Sequence, residues 1–262
     1  MRLLLLLFIL VYSSLLPSDS INFNEYEVLK KIGQGSYGEV YCIQDRLGFH
    51  FALKFYQEYK NLSALKALYT DIEREFELGS KFNHPHIIKS MELIKVPSQK
   101  YLVLEFVNGF TIAECPKKFL SKSEAIYASL QLIDALIYAL QFDFIYIDLG
   151  AANIMLNENK KLKLVDVASF VSFDEIDRHY FKDQLRKPLG SFNSLLVKNF
   201  DKLTTMCTYL FDLSTLNTME CIDKKEAIKK LAWNCEEDYF EDKEIHLENY
   251  FHQLRELIFS FN

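Results

Sequence analysis

The sequence lacks an excess of positive charge. Its 262 residues include 30 Lys and Arg against 36 Asp and Glu, which gives a net charge of -6. A general nucleic-acid surface needs a basic stripe, so the charge balance argues against that class of partner. Internal repeats and low-complexity linkers are also missing. Half of the residues are hydrophobic, which excludes a disordered chain and predicts one large folded domain or two small ones.

Cysteine is scarce and scattered. The five cysteines stand alone in the sequence, at positions 42, 115, 207, 221 and 235. None forms a Cys-x-x-Cys pair or the spacing of a zinc site. An odd number cannot pair completely within one chain, so we expect buried thiols.

The only long apolar run lies at the N-terminus, in MRLLLLLFILVYSSLLPSDS. Arg2 precedes the run, and Ser18 and Ser20 would lie at positions minus three and minus one of a cut before Ile21. A membrane span needs about 20 apolar residues, and this run is shorter. We therefore expect a signal peptide over residues 1–20 and a lumenal or secreted protein. An uncleaved anchor, which would bring membrane contact, and a cytoplasmic location remain alternatives.

The pattern of the remaining chain changes from strand-like to helical. The segments YEVLKKIGQGSYGEVYCIQD, HFALKFYQ, IIKSMELIKV and KYLVLEFV predict strands, with a helix in residues 61–82. A long helix is predicted from EAIYASLQLIDALIYAL, with Ser123 as its N-cap. LKLVDVASF predicts a short strand and turn, and FDKLTTMCTYLFDL another helix. The sequence therefore predicts an α+β fold, and a cleft between its two parts would suit a ligand.

A glycine-rich segment lies between the first two predicted strands. Gly33, Gly35 and Gly38 form a GxGxxG pattern, with Val40 two residues later. A dinucleotide-binding loop leads from a strand into a helix, whereas a strand follows here, so the loop is a hairpin. Glycine lets backbone amides approach phosphate oxygens closely. Lys54 on the next strand could bind phosphates if an acidic residue of the following helix held it.

A second polar pattern interrupts the apolar segment IYIDLGAANIML. Asp148 and Asn153 are five positions apart, and Asp166 follows in LVDVA. Polar side chains are costly in an apolar segment unless something pairs with them. The spacing resembles that of a phosphotransferase catalytic loop followed by a metal ligand.

Together these motifs resemble a eukaryotic-type protein kinase domain from about Tyr26 to Phe211. The resemblance implies a two-lobed fold with an antiparallel-sheet N-lobe at about 24–107 and a mainly helical, shortened C-lobe at about 108–262. It implies ATP and Mg²⁺ as cofactors and an unnamed protein substrate. The implied ATP-binding residues are Ile32, Gly33, Gln34, Gly35, Ser36, Tyr37, Gly38, Val40, Ala52, Lys54, Glu105, Val107 and Met155.

The resemblance also assigns the chemical roles. Asp148 would accept the proton of the substrate hydroxyl, and Asn153 and Asp166 would bind Mg²⁺. Lys54 would hold the α- and β-phosphates and pair with Glu75. Leu104 would be the gatekeeper beside the adenine.

Several positions depart from the family pattern around the phosphates. Ile147 replaces an arginine that grips a phosphorylated activation segment, and Tyr146 replaces a histidine as a tolerable packing change. Gly150 stands where serine/threonine kinases have a lysine. Ala168 replaces the glycine after the metal-binding aspartate, and Leu189 replaces a buried glutamate.

These departures leave three readings open. Losing one electrostatic stabiliser typically slows an enzyme about 10²- to 10³-fold, so we expect slow serine/threonine kinase activity. The alternatives are an ATP-binding pseudokinase that acts as an interaction module and a small-molecule phosphotransferase.

Overall fold

The computed structural model describes residues 25–34, 38–56, 72–96, 99–175, 202–214, 222–231 and 247–261. The predicted signal segment, residues 35–37 and the segment with Leu189 lie outside these ranges, so expectations about them stay predictions. The chain divides into two compact units, one within 1–61 and 90–106, the other within 62–89 and 107–262. The helix of residues 72–81, predicted in the first lobe, groups with the second unit.

The first unit is an antiparallel five-stranded sheet in the order β1-β2-β3-β5-β4. Its strands are β1 Tyr26–Gln34, β2 Gly38–Asp45, β3 His50–Tyr56, β4 Ser90–Val96 and β5 Gln99–Glu105. Alternate side chains of neighbouring strands form its core, which centres on Ile43, Leu53, Tyr101 and Val103. The hairpin between β2 and β3 turns at Gly48, whose φ of +90° favours glycine.

The second unit contains helices and short strands. Its elements are α1 Ile72–Lys81, β6 Gly109–Thr111, α2 Lys122–Leu140, β7 Phe144–Tyr146, β8 Ile154–Asn157, β9 Leu162–Leu164, β10 Phe170–Ser172, α3 202–212, α4 222–231 and α5 Leu247–Phe259. Strands β6, β8 and β9 form one sheet and β10 pairs with β7. None of the helices among the described residues is long and apolar enough to cross a membrane.

Helix α2 forms much of the second unit's core. Its buried residues include Ala125, Leu132 and Leu136, which recur at intervals of seven and four as a buried helix face requires. The prediction of a long helix is confirmed, but Ser123 as its N-cap is wrong. Ser121 accepts a hydrogen bond from the Glu124 amide, and the Glu124 carboxylate accepts one from the Ser121 amide. This reciprocal arrangement places the helix start one residue after Ser121.

The antiparallel sheet and the later helices confirm the predicted α+β, protein kinase-like fold.

Gly109 shows how closely two strands approach in the second unit. A Cβ on Gly109 would lie 2.0 Å from the Leu156 carbonyl oxygen. Only glycine therefore permits the pairing of β6 with β8 immediately after the segment predicted to bind adenine.

Candidate functional site

The glycine-rich hairpin is formed by β1 and β2. Gly33 lies opposite Val40 and Gln34 opposite Glu39. Across the same hairpin, Lys31 Nζ lies 2.6 Å from Glu39 Oε1. Hydrogen bonds from Lys31 and then Tyr41 hold the pKa of Glu39 below its ordinary value. These contacts fix the register on both sides of the loop, whose Gly35, Ser36 and Tyr37 lie outside the described residues.

Further predicted nucleotide residues lie along neighbouring strands of the same unit. Lys54 is half-buried on β3, opposite Val40 of β2 and Leu102 of β5. Ala52 is buried two residues earlier, opposite Leu104. The sheet thus places Lys54, Val40, Ala52 and the predicted gatekeeper on three adjacent strands.

The remaining residues predicted to bind the nucleotide lie at separate positions in the two units. Ile32 is exposed on β1, Gly38 begins β2 and Glu105 ends β5 in a half-buried position. Val107 and Met155 are half-buried in the second unit, where Met155 lies on β8.

Glu75 lies on α1 in the second unit and is fully buried. A buried carboxylate needs a cation or strong hydrogen-bond donors to stay charged. Lys54 belongs to the first unit, so the predicted pairing of Lys54 with Glu75 stays a prediction.

The predicted catalytic loop follows β7. Asp148 has a side chain that is 70% exposed, so its carboxylate is accessible to an incoming hydroxyl group. Asn153 Nδ2 donates to the backbone oxygen of Asp148 at 2.9 Å and to its Oδ2 at 3.2 Å. The two polar residues that interrupt the apolar sequence are therefore partners of each other.

The segment that carries Asp166 is joined to this loop through the backbone. Val165 N donates to Asn153 O, and Ile147 N donates to Ser169 O, both at 3.0 Å. Strands β8 and β9 pair between the two segments, with Ile154 opposite Leu164. These bonds bring the segments of Asp148, Asn153 and Asp166 together within the second unit.

Aromatic side chains pack next to the predicted catalytic loop. Tyr146, which replaces the family's histidine, is buried, and its ring centroid lies 4.7 Å from that of Phe170 in an edge-to-face arrangement. Phe82 also packs edge-to-face on Phe170, with ring centroids 5.0 Å apart. Edge-to-face packing is favourable for aromatic rings, so Tyr146 packs well in the place of the family's histidine.

Three residues of the site were missed by the sequence analysis. Ser169 Oγ donates to Asp166 Oδ2 at 2.7 Å. Lys202, at the start of α3, donates from Nζ to the Ile147 backbone oxygen at 2.8 Å. Arg74 donates to the backbone oxygens of Ala168 and Phe170.

Arg74 also forms a two-point ion pair with Glu175, with its Nε 3.0 Å from Oε1 and its Nη2 2.9 Å from Oε2. Burial raises the pKa of Glu175, but hydrogen bonds from Arg74 and Ser172 outweigh burial and lower it below its ordinary 4.5. Ser169 stands three residues after Asp166 and could have been found from the sequence. The other contacts join distant segments.

The donor set suits Mg²⁺ completed by phosphate oxygens. Mg²⁺ is usually bound by one or two protein oxygens together with substrate phosphates and water. Among the described residues, no group of three His, Cys, Asp or Glu side chains forms a self-sufficient metal site. Asn153 turns its amide nitrogen towards Asp148, which leaves the amide oxygen as the atom for a cation.

Comparison with known proteins shows which family the chain is similar to. The family model described as "Protein kinase domain" matches residues 26–175. A "Probable serine/threonine-protein kinase KIN1 homolog" from Enterocytozoon bieneusi is 30% identical over 158 residues, covering 58% of this chain and 26% of that protein. "Aurora/IPL1-related protein kinase 2" from Caenorhabditis elegans is 30% identical over 147 residues, covering 55% and 47%.

"Sucrose non-fermenting protein kinase 1" from Fusarium virguliforme is 32% identical over 143 residues, covering 54% of this chain and 20% of that protein. The matched segment thus spans less than half the length of each of these three relatives. The family match covers more than half of this chain and includes every described site residue except Lys202. The chain belongs to the protein kinase family and carries a eukaryotic-type kinase domain.

Proposed function

We propose that the chain is an ATP-dependent protein kinase that transfers the γ-phosphate of MgATP to serine or threonine hydroxyls of a protein. The observation that carries this proposal is the joining of two polar segments. Backbone hydrogen bonds from Val165 to Asn153 and from Ile147 to Ser169 hold the catalytic loop beside the segment of Asp166. Phosphoryl transfer depends on positioning and electrostatic stabilisation, which such an arrangement supplies.

Asp148 is the proposed proton acceptor. Its carboxylate is largely exposed, and the amide of Asn153 holds it from one side. A hydroxyl group of a protein substrate can therefore approach it within hydrogen-bond distance, as a general base requires.

Asn153 and Asp166 are the proposed ligands of Mg²⁺. When bound, MgATP supplies the phosphoryl group, and the metal neutralises negative charge on the phosphates. Ser169 fixes one Asp166 oxygen with its hydroxyl, as residues behind a metal ligand commonly do. The resemblance also gives Lys54 and the glycines of the first unit the role of binding phosphates.

Serine/threonine specificity is supported by the relative from Enterocytozoon bieneusi, whose name is that of a probable serine/threonine-protein kinase. It is also supported by Ala152, because tyrosine kinases place an arginine at that position of the loop. We expect the activity to be slow, since the catalytic loop carries neither the arginine before Asp148 nor the lysine after it.

The proposal is tested by incubating the purified chain with γ-labelled ATP, Mg²⁺ and a mixture of protein and small-molecule acceptors. We expect label on protein serine or threonine, identified after acid hydrolysis, and at least about 100-fold slower labelling with the Asp148→Asn variant. Label on small molecules alone would support the phosphotransferase alternative. A rise in melting temperature with MgATP but no transfer would identify an ATP-binding pseudokinase and contradict the proposal.

A further inference from the structure

Helix α3 brings a lysine to the catalytic loop from a distant part of the sequence. Lys202 Nζ donates to the Ile147 backbone oxygen at 2.8 Å and lies 4.0 Å from Asp148 Oδ1. The lysine is thus anchored at one point and faces the proposed proton acceptor at another. Asp148 stands 54 residues earlier in the chain, so sequence spacing gave no indication of this contact.

The ammonium group of Lys202 is exposed enough to contact a bound ligand as well as the loop backbone. The side chains of Lys202 and Asp148 are 41% and 70% exposed. An exposed ion pair at 4.0 Å contributes little to stability because water and salt screen it. Its value as a structural bond is therefore small, and its charge remains available to a ligand that reaches Asp148.

The catalytic loop itself has no such cation. Gly150 occupies the position where related serine/threonine kinases carry a lysine, and neighbouring Ala151 and Ala152 are also uncharged. Gly150 has an extended backbone with φ -153° and ψ 160°, which any residue adopts. Among the described residues other than its two chain neighbours, the nearest atom to a Cβ there would be the Asp148 backbone oxygen, at 4.0 Å, so the described surroundings do not require glycine.

We propose that Lys202 supplies, from helix α3, the positive charge that Gly150 lacks, and that it stabilises the phosphoryl group during transfer. This inference rests on the proposed kinase function. In the transfer step, the substrate hydroxyl oxygen forms a bond to the γ-phosphorus and its proton passes to Asp148. The bond from that phosphorus to the β,γ-bridging oxygen breaks, and its electron pair stays on ADP.

Three substitutions separate charge from anchoring. Lys202→Met removes both the charge and the hydrogen bond to Ile147, Lys202→Gln keeps a donor without the charge, and Lys202→Arg keeps both. Removing one electrostatic stabiliser lowers kcat about 100-fold. We expect Met and Gln to lower kcat by about that factor while KM for ATP changes less than about 2-fold, the sign of an interaction made in the transition state. Arginine should retain most of the activity.

Restoring the charge within the loop gives the sharpest test. We expect Gly150→Lys to recover at least about 10-fold in kcat in the Lys202→Met background, because one cation then replaces the other. Lys229→Met is the matched control, because Lys229 is an exposed lysine on α4. Melting temperature and MgATP affinity, measured on every variant, confirm that each protein is folded and binds nucleotide.

The outcomes distinguish this inference from the proposed function. If Lys202→Met is as active as Lys229→Met, or if Lys202→Gln keeps full activity, the inference is wrong and the kinase function stands. Failure of Gly150→Lys to rescue Lys202→Met, with the single Gly150→Lys variant active, also overturns it. A parent protein with no transfer activity overturns both.

Discussion

At the scale of single residues, the hydroxyl of Ser169 links the packed interior to the proposed metal site. Ser169 is 2% exposed, and its Oγ donates to Asp166 Oδ2 at 2.7 Å. The hydrogen bond fixes one carboxylate oxygen and so restricts how the other can turn. The Ser169 backbone oxygen accepts from Ile147, so one residue contacts both segments of the site.

We predict that Ser169→Ala raises the Mg²⁺ concentration required for half-maximal activity about 10-fold. Loss of a partner behind a metal ligand commonly costs 10- to 100-fold in affinity. The measurement is activity against Mg²⁺ concentration at saturating ATP. Ser80→Ala is the control, because Ser80 is an exposed serine whose hydroxyl donates to a backbone oxygen of α1. An unchanged Mg²⁺ requirement would show that Asp166 does not depend on Ser169.

At the scale of elements, Arg74 fastens helix α1 to the segment that follows Asp166. Its guanidinium contacts two backbone oxygens and the Glu175 carboxylate, and its side chain is only 10% exposed. The pair with Glu175 needs no phosphate group. The carboxylate of Glu175 thus holds the described part of the segment after Asp166 without phosphorylation. Ile147 carries no charge with which to bind a phosphate group.

We predict that Arg74→Ala lowers the free energy of unfolding by about 3 kcal/mol, since it removes one partner of a largely buried ion pair and the donors to two backbone oxygens. Arg255→Ala is the control. Arg255 Nε lies 2.9 Å from the Asp134 carboxylate, the same distance as between Arg74 Nη2 and the Glu175 carboxylate. The side chains of Arg255 and Asp134, however, are both at least 40% exposed. Such exposed pairs contribute less than about 1 kcal/mol. Equal losses in urea unfolding would contradict the role given to Arg74.

The same ion pair predicts a pH dependence. The pKa of Glu175 is lowered in the folded protein, so its stabilisation is complete above its ordinary 4.5 and is lost as the pH falls below that value. Glu175→Gln should therefore be less stable than the parent at pH 7, and the difference should shrink on acidification below about 4.5. Urea unfolding of both proteins across this range is the measurement. A constant difference would show that Glu175 is not ionised when paired with Arg74.

The start of helix α2 gives a third prediction at this scale. Ser121→Ala should lower the free energy of unfolding by about 1 kcal/mol, because it removes the acceptor for the Glu124 amide. Ser123→Ala should change it by less than about 0.5 kcal/mol, as surface substitutions usually do. Comparing the two variants in urea unfolding tests the cap assignment. A larger loss at Ser123 would restore the prediction made from sequence.

At the scale of the whole molecule, the sequence predicted what depends on short-range pattern. The strand-like segments of the first half predicted the sheet, and the Asp148–Asn153 spacing predicted the loop that the structure joins by hydrogen bonds. The cap was misassigned although Ser121 and Glu124 already form a capping-box pattern. That error came from overlooking a local signal.

Contacts between distant segments could not be predicted in this way. Arg74 and Glu175 are 101 positions apart, and no local rule relates them. Lys202 reaches the loop only because α3 begins beside it. Arg74, Glu175 and Lys202 are of residue types common on protein surfaces, so a single sequence offers no signal that singles them out.

The central claim is that Asp148, Asn153 and Asp166 form a working phosphotransfer site. The most direct test is the rate of label transfer from γ-labelled MgATP to a protein acceptor, compared between the parent and Asp148→Asn at equal nucleotide occupancy. We expect Asp148→Asn to lose at least about 100-fold in rate, because general-base catalysis contributes about 10²- to 10⁴-fold, while MgATP affinity stays within about 2-fold. Equal rates in the two proteins, or no transfer by the parent, would contradict the claim.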